Sequence, residues 1–170
     1  FETFYNIGSG SFISLLALST VALKTVLDGT ETHLAILAAM FGGSSLLSPF
    51  VSYLGRTIRM QALVVWPNFL VALILIATVV SSSPTWFTAC VGMAFVIRVF
   101  PRVGEMNMYR ILYPPTCRGA AVGWIKCVAA LSGLGLTLLG YWCFTFHAQH
   151  YWVLYCISAL LLTGAAWSYK

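Results

Sequence analysis

Six apolar runs, each about as long as a membrane is thick, follow one another along the chain with only short polar breaks between them. They cover residues 7–27, 34–53, 60–80, 85–112, 119–146 and 152–167. A hydrocarbon core of about 30 Å needs roughly 20 apolar residues, because a helix rises about 1.5 Å per residue. Inside lipid every backbone N–H and C=O must find its partner within the protein, so runs of this kind fold as helices. Of the 170 residues 60% are hydrophobic and only 8% charged, against about 25% charged in a soluble domain. These observations predict an all-α integral membrane protein: a single domain built as a six-helix bundle.

The fourth run contains an expensive exception. The stretch Ile97-Arg-Val-Phe-Pro-Arg-Val-Gly-Glu-Met-Asn-Met-Tyr-Arg110 holds Arg98, Arg102, Glu105 and Arg110, four of the chain's nine basic and four acidic side chains. A charge at the centre of a membrane helix costs about 2.5–3.5 kcal/mol, so each needs a partner, a wet cavity or a route to the headgroups. Arg98, Arg102 and Glu105 are spaced by four and three, which puts them on one helical face. Two readings follow. In one, an internal Arg–Glu pair neutralises buried charge. In the other, the three line a cavity where the unmatched guanidinium binds an anionic group through bidentate hydrogen bonds. The excess of two cations over one acid tilts the balance toward a substrate-binding role. Asn68, beside Pro67, either satisfies the backbone that proline loosens or faces the same cavity.

Basic residues also orient the chain. Arg56 and Arg59 follow the second run, Arg110, Arg118 and Lys126 surround the fourth-to-fifth connection, and Lys170 ends the sequence. The opposite connections carry Asp28, Glu31 and all three histidines but no Lys or Arg. Positive residues stay inside, which predicts six crossings with both termini cytoplasmic. Lys24, near the end of the first run, is expected to snorkel outward. Thr30 suits a helix start, but the Thr-x-x-Glu spacing of a capping box is missing.

Several classes of chemistry find no support. There is no basic stripe or zinc-finger spacing for nucleic acid, and no phosphate-binding glycine loop. No nucleophile, base and orienting group fall together, so no catalytic residue is assigned and the chain is read as non-enzymatic. The five cysteines are scattered and read as packing residues. His147 and His150 read as solvated loop side chains, and neither a metal nor another cofactor is expected. Phe1 in first place, with no cleavable apolar leader, leads us to expect a piece of a longer protein.

Two short motifs narrow the reading. The stretch Ser48-Pro-Phe-Val-Ser-Tyr-Leu-Gly-Arg-Thr-Ile-Arg59 resembles the loop G-x-x-x-D-R-x-G-R-[RK] between spans two and three of major facilitator superfamily transporters. Gly55 and Arg56 match, and Arg59 supplies a nearby basic group. Ser48 stands for the first glycine, Ser52 for the aspartate and Tyr53 for the first arginine, so the aspartate that helps latch the family's cytoplasmic gate is replaced. Tyr113-Pro-Pro-Thr-Cys-Arg-Gly-Ala-Ala-Val-Gly123 is similar to the P-x-x-x-R-G-x-x-x-G opening of the fifth span. Neither Arg98 nor Arg102 is followed by the Gln-Gly of the family's fourth-span motif, and the glycine-proline motif of antiporters is absent.

The resemblance implies the N-terminal six-helix half of such a transporter, moving a small, anion-like solute by alternating access. Arg98, Arg102 and Glu105 would then sit in its cavity, with Gly55, Arg56, Arg59 and Arg118 at the gate. It implies membrane lipid and a second six-helix half as partners, in a bacterial-type inner membrane. The alternative is a transporter-derived structural subunit that no longer transports and packs among other membrane proteins.

Overall fold

The computed structural model describes residues 2–55, 57–80 and 83–168, and every element among them is helical. The order is α1 (Glu2–Thr25), α2 (Glu31–Ser44), a 3-10 turn (Ser45–Leu47), α3 (Ser48–Leu54), α4 (Met60–Val79), α5 (Pro84–Ile97), α6 (Val99–Leu112) and α7 (Pro115–Phe146). A second 3-10 turn (Ala148–His150) leads to α8 (Trp152–Trp167). Because α2 with α3 and α5 with α6 are halves of broken helices, the elements form six rods. Five rods are long and apolar enough to cross a membrane; α8, at 16 residues, is shorter.

Proline accounts for both breaks. Pro49 has no N–H to give to the Ser45 carbonyl, which instead accepts from the Ser48 backbone three residues on, so the second rod tightens into 3-10 geometry. Pro101 likewise withholds a hydrogen bond from the Ile97 carbonyl, and the fourth rod breaks at Arg98. The sequence had predicted both rods as continuous. Pro67 interrupts nothing, because α4 runs through it.

Two boundaries also differ from expectation. Residues 2–6, ahead of the first apolar run, are the first turns of α1, and Tyr5 and Asn6 are fully buried. The fifth rod begins at Pro115 rather than at 119, since proline suits the first turn of a helix, where its missing N–H has no intrahelical duty. Between α1 and α2 the chain turns through Asp28 in the left-handed region, φ 50°, and Gly29 N–H closes the turn on Leu23 O at 2.8 Å.

At its start α2 has a capping box with histidine in the acidic position. Thr30 N–H donates to His33 Nδ1 at 3.2 Å, and His33 Nε2 lies 3.2 Å from Thr85 Oγ1 at the head of α5. Lys24 points outward to Glu31, 3.6 Å away.

The rods pack in a regular scheme. α1 lies along α7 and α8; α4 lies along α8, α5 and α6; α2 lies along α5, with α3 beside α6. Exchanging the first three rods for the last three maps these principal pairs onto one another. Phe12, Leu15, Leu23, Leu75, Phe87 and Tyr155 are among the side chains that fill the core between them.

The α1–α7 contact is the closest. A Cβ on Gly10 would collide with the Ala129 carbonyl, so only glycine lets the two backbones approach this far. Hydroxyls use the carbonyls this brings within reach: Ser14 donates to Gly133 O at 2.8 Å and Ser132 to Ile7 O at 3.0 Å. The opposite face of α7 exposes Leu131, Leu134, Leu138 and Leu139 as one apolar stripe.

Candidate functional site

The polar side chains of the broken fourth rod meet partners from three others. Arg98 is buried and its Nη1 donates to Asn68 Oδ1 on α4 and to Tyr5 Oη on α1, the latter at 3.3 Å. Its guanidinium carbon stands 5.6 Å from the Tyr5 ring centre and 5.7 Å from that of Phe12, within range of the rings' negative faces. Among the described residues no carboxylate forms an ion pair with it. Asn68 is fully buried and stands behind the arginine rather than in the cavity wall: its Nδ2 donates to Val64 O at 2.7 Å and its Oδ1 accepts from Arg98.

Glu105 lies one helical turn deeper into α6 than Arg102 and is 3% exposed. It does not pair with either arginine. Lys126 of α7 donates to its Oε1 at 2.5 Å, and the Tyr109 hydroxyl donates to the same oxygen at 2.6 Å. Asn6 Nδ2 in turn donates to Tyr109 Oη at 3.1 Å and to Glu2 O at 2.9 Å. A chain of hydrogen bonds thus runs from α1 through Tyr109 to a buried carboxylate, and the internal Arg–Glu pair is not formed. One buried acceptor in the chain, Asn6 Oδ1, has no partner among the described residues.

Arg102 is exposed, because the break at Arg98 swings it away from the buried neighbours that receive Arg98 and Glu105. All three nevertheless line one cavity of about 380 Å³ together with Lys126, walled by Ser9, Phe12, Phe41 and Phe95. That volume is within the range of small-molecule sites. Four charged side chains surround it, three positive and one negative.

Lys126 is the member that the sequence reading missed. It was grouped with the basic residues of the fourth-to-fifth connection, but it stands three turns, about 16 Å, into α7. That depth was the available signal: a lysine so far from a helix end is too deep to count for topology alone.

The gate residues fall elsewhere. Gly55 is buried at the end of α3, where an added Cβ would press on Leu63 at 3.2 Å, and Arg59 is exposed at the start of α4. Arg56 lies outside the described residues. Arg118 caps the end of the fourth rod, donating through Nε to Tyr113 O at 3.1 Å and through Nη2 to Arg110 O at 3.0 Å. A cation there satisfies carbonyls left over at the C-terminal end and meets its negative dipole. Tyr113 donates its hydroxyl to Glu2, and that bond, with some burial and the charge of Glu2, pushes the phenol above its ordinary pKa. At the far end His147 and His150 stack edge to face, ring centres 5.9 Å apart.

In comparisons with protein-family models, curated proteins and solved structures, nothing matches this chain.

Proposed function

We propose that the chain is a multi-pass membrane protein of major-facilitator type, one six-helix half of a transporter that moves a small anionic solute by alternating access. The observation that carries this is the cavity: Arg98, Arg102 and Lys126 face a single carboxylate, Glu105, in about 380 Å³. An anion entering there gains two or three charge-assisted donors, whereas a cation meets net repulsion. The neutral partners of Arg98 hold its guanidinium in place without cancelling its charge.

Membrane insertion is supported by the tryptophans. All six are exposed, with Trp86, Trp142 and Trp152 at one end of the bundle and Trp66, Trp124 and Trp167 toward the other. Trp124 and Trp142 lie five turns apart on α7, about 27 Å, with the leucine stripe between them. Aromatic rings favour headgroup depth, and that separation suits a hydrocarbon core of about 30 Å. The exchange symmetry of the rods supports the family reading, since each six-span half of these transporters is built from two inverted three-helix repeats. In this reading both termini are cytoplasmic, the membrane is a bacterial-type inner membrane, and the chain carries no catalytic step.

Uptake of a panel of labelled organic and inorganic anions into proteoliposomes tests the proposal. Arg98→Gln and Lys126→Gln are expected to abolish uptake of the accepted anion while insertion persists. Uptake that survives both changes would remove the cavity from the mechanism.

The exposed small-residue faces favour a second reading. Gly42 and Gly43 on α2, and Gly119, Gly123 and Gly135 on α7, have no other atoms near where a Cβ would stand, which leaves room for helices of another protein. A structural subunit would co-purify at fixed stoichiometry with a larger membrane assembly and transport none of the panel.

A further inference from the structure

A second polar concavity lies beyond the cavity, between α3 and α6. It encloses about 890 Å³, with Ser45, Ser48, Ser52 and Gly55 on one wall and Arg102, Asn107 and Arg110 on the other, over Val103, Met106 and Ile111. The serines recur at i, i+3 and i+7 and so share one face of the second rod; Arg102 and Arg110 share one face of α6, two turns apart. Among the described residues the side chains of Ser45, Ser48, Ser52, Arg102, Asn107 and Arg110 make no hydrogen bond or ion pair.

The sequence has four acidic side chains, and none of them is among the residues that line this groove. Glu2 accepts from Tyr113, Glu105 from Lys126, Glu31 faces Lys24, and Asp28 forms the turn at the opposite end of the bundle. Two guanidiniums therefore share the groove with three hydroxyls and an amide, all able to donate, and no acidic side chain among the described residues answers them. A cation is excluded by the two positive charges. The apolar floor suits a ligand that carries hydrocarbon next to its charge.

From this arrangement we infer that the α3–α6 groove is an anion site for a phosphate-bearing group, held by Arg102 and Arg110 and oriented by the serine hydroxyls. Phosphate oxygens accept several donors at once, and arginine meets them two at a time. The group is either a free phosphate or the headgroup of an anionic lipid lying against Val103, Met106 and Ile111. The site is separate from the proposed solute cavity, sharing only Arg102 and Met106 with it, and stands whether or not the chain transports.

The test uses the full chain, purified in neutral detergent and stripped of lipid, with two probes: inorganic phosphate, and phosphatidylglycerol set against phosphatidylcholine. Binding is read by the shift in unfolding temperature and by native mass spectrometry. Arg110→Gln and Ser52→Asp are compared with the unaltered chain; both positions lie outside the solute cavity, and Ser52→Asp supplies the missing carboxylate from within. Binding of either probe, weakened at least about tenfold in both variants, supports the site. Preference for phosphatidylglycerol assigns the lipid source, and phosphate binding alone assigns the free anion. Neither probe binding, or binding unchanged by both substitutions, overturns the inference. Unaltered far-ultraviolet circular dichroism in the variants separates lost binding from lost fold.

Discussion

The first and second rods are both 24-residue apolar segments, yet they meet opposite fates. Of the apolar window of α1, 61% is buried inside the protein; for α2 with α3 the figure is 11%. Polar groups follow the same division. Asn6 on α1 is buried and donates to Tyr109, whereas Ser45, Ser48 and Ser52 on the second rod line an open groove and make no side-chain hydrogen bond among the described residues. Glycine separates them too: Gly10 is pressed against a backbone carbonyl, and Gly42 faces open space. Hydropathy alone therefore does not decide whether a rod is a pillar of the bundle or a surface offered to a ligand or a neighbour.

The contrast can be broken most directly at Gly10. Gly10→Ala forces α1 and α7 apart against backbone, at the upper end of the overpacking range, and is expected to cost about 3 kcal/mol, read as a lowered unfolding temperature in detergent. An unchanged temperature would mean that the two helices do not touch as described. Next comes Glu105→Gln, which keeps the shape but leaves Lys126 without its counter-ion. Since Lys126 is partly exposed, the loss should be only about 1–2 kcal/mol by the same measurement. On the second rod the sign should reverse. Gly42→Ala meets nothing and gains helix propensity, so a stabilisation of about 0.5–1 kcal/mol is expected; destabilisation there would reveal packing on that face. The smallest effect belongs to Ser45→Ala, within about 0.5 kcal/mol of the unaltered chain when no anion is present, because its exposed hydroxyl makes no hydrogen bond among the described residues.

Element type and number were legible in the sequence because a run of about 20 apolar residues leaves the backbone few choices. The breaks were less so. Pro49, Pro67 and Pro101 all sit inside apolar runs, yet only the first and third interrupt a helix, and nothing in the local sequence tells them apart. The site divides in the same way. Spacing put Arg98, Arg102 and Glu105 on one stretch, and the fold does gather them around one cavity. Of their partners, Tyr109 lies one turn from Glu105 on the same helix, but Asn68, Tyr5 and Lys126 come from rods 21 to 93 residues away, and no local pattern names them.

By itself, then, the sequence determined that the chain is a set of apolar helices with a costly charged segment in the fourth, because both follow from local composition and a fixed rise per residue. Only the tertiary structure decided which helices are buried, that Glu105 belongs to Lys126 rather than to an arginine, and that Arg110 faces a groove. Those depend on which surfaces approach closely enough to exclude other partners, and that is a property of the assembled bundle.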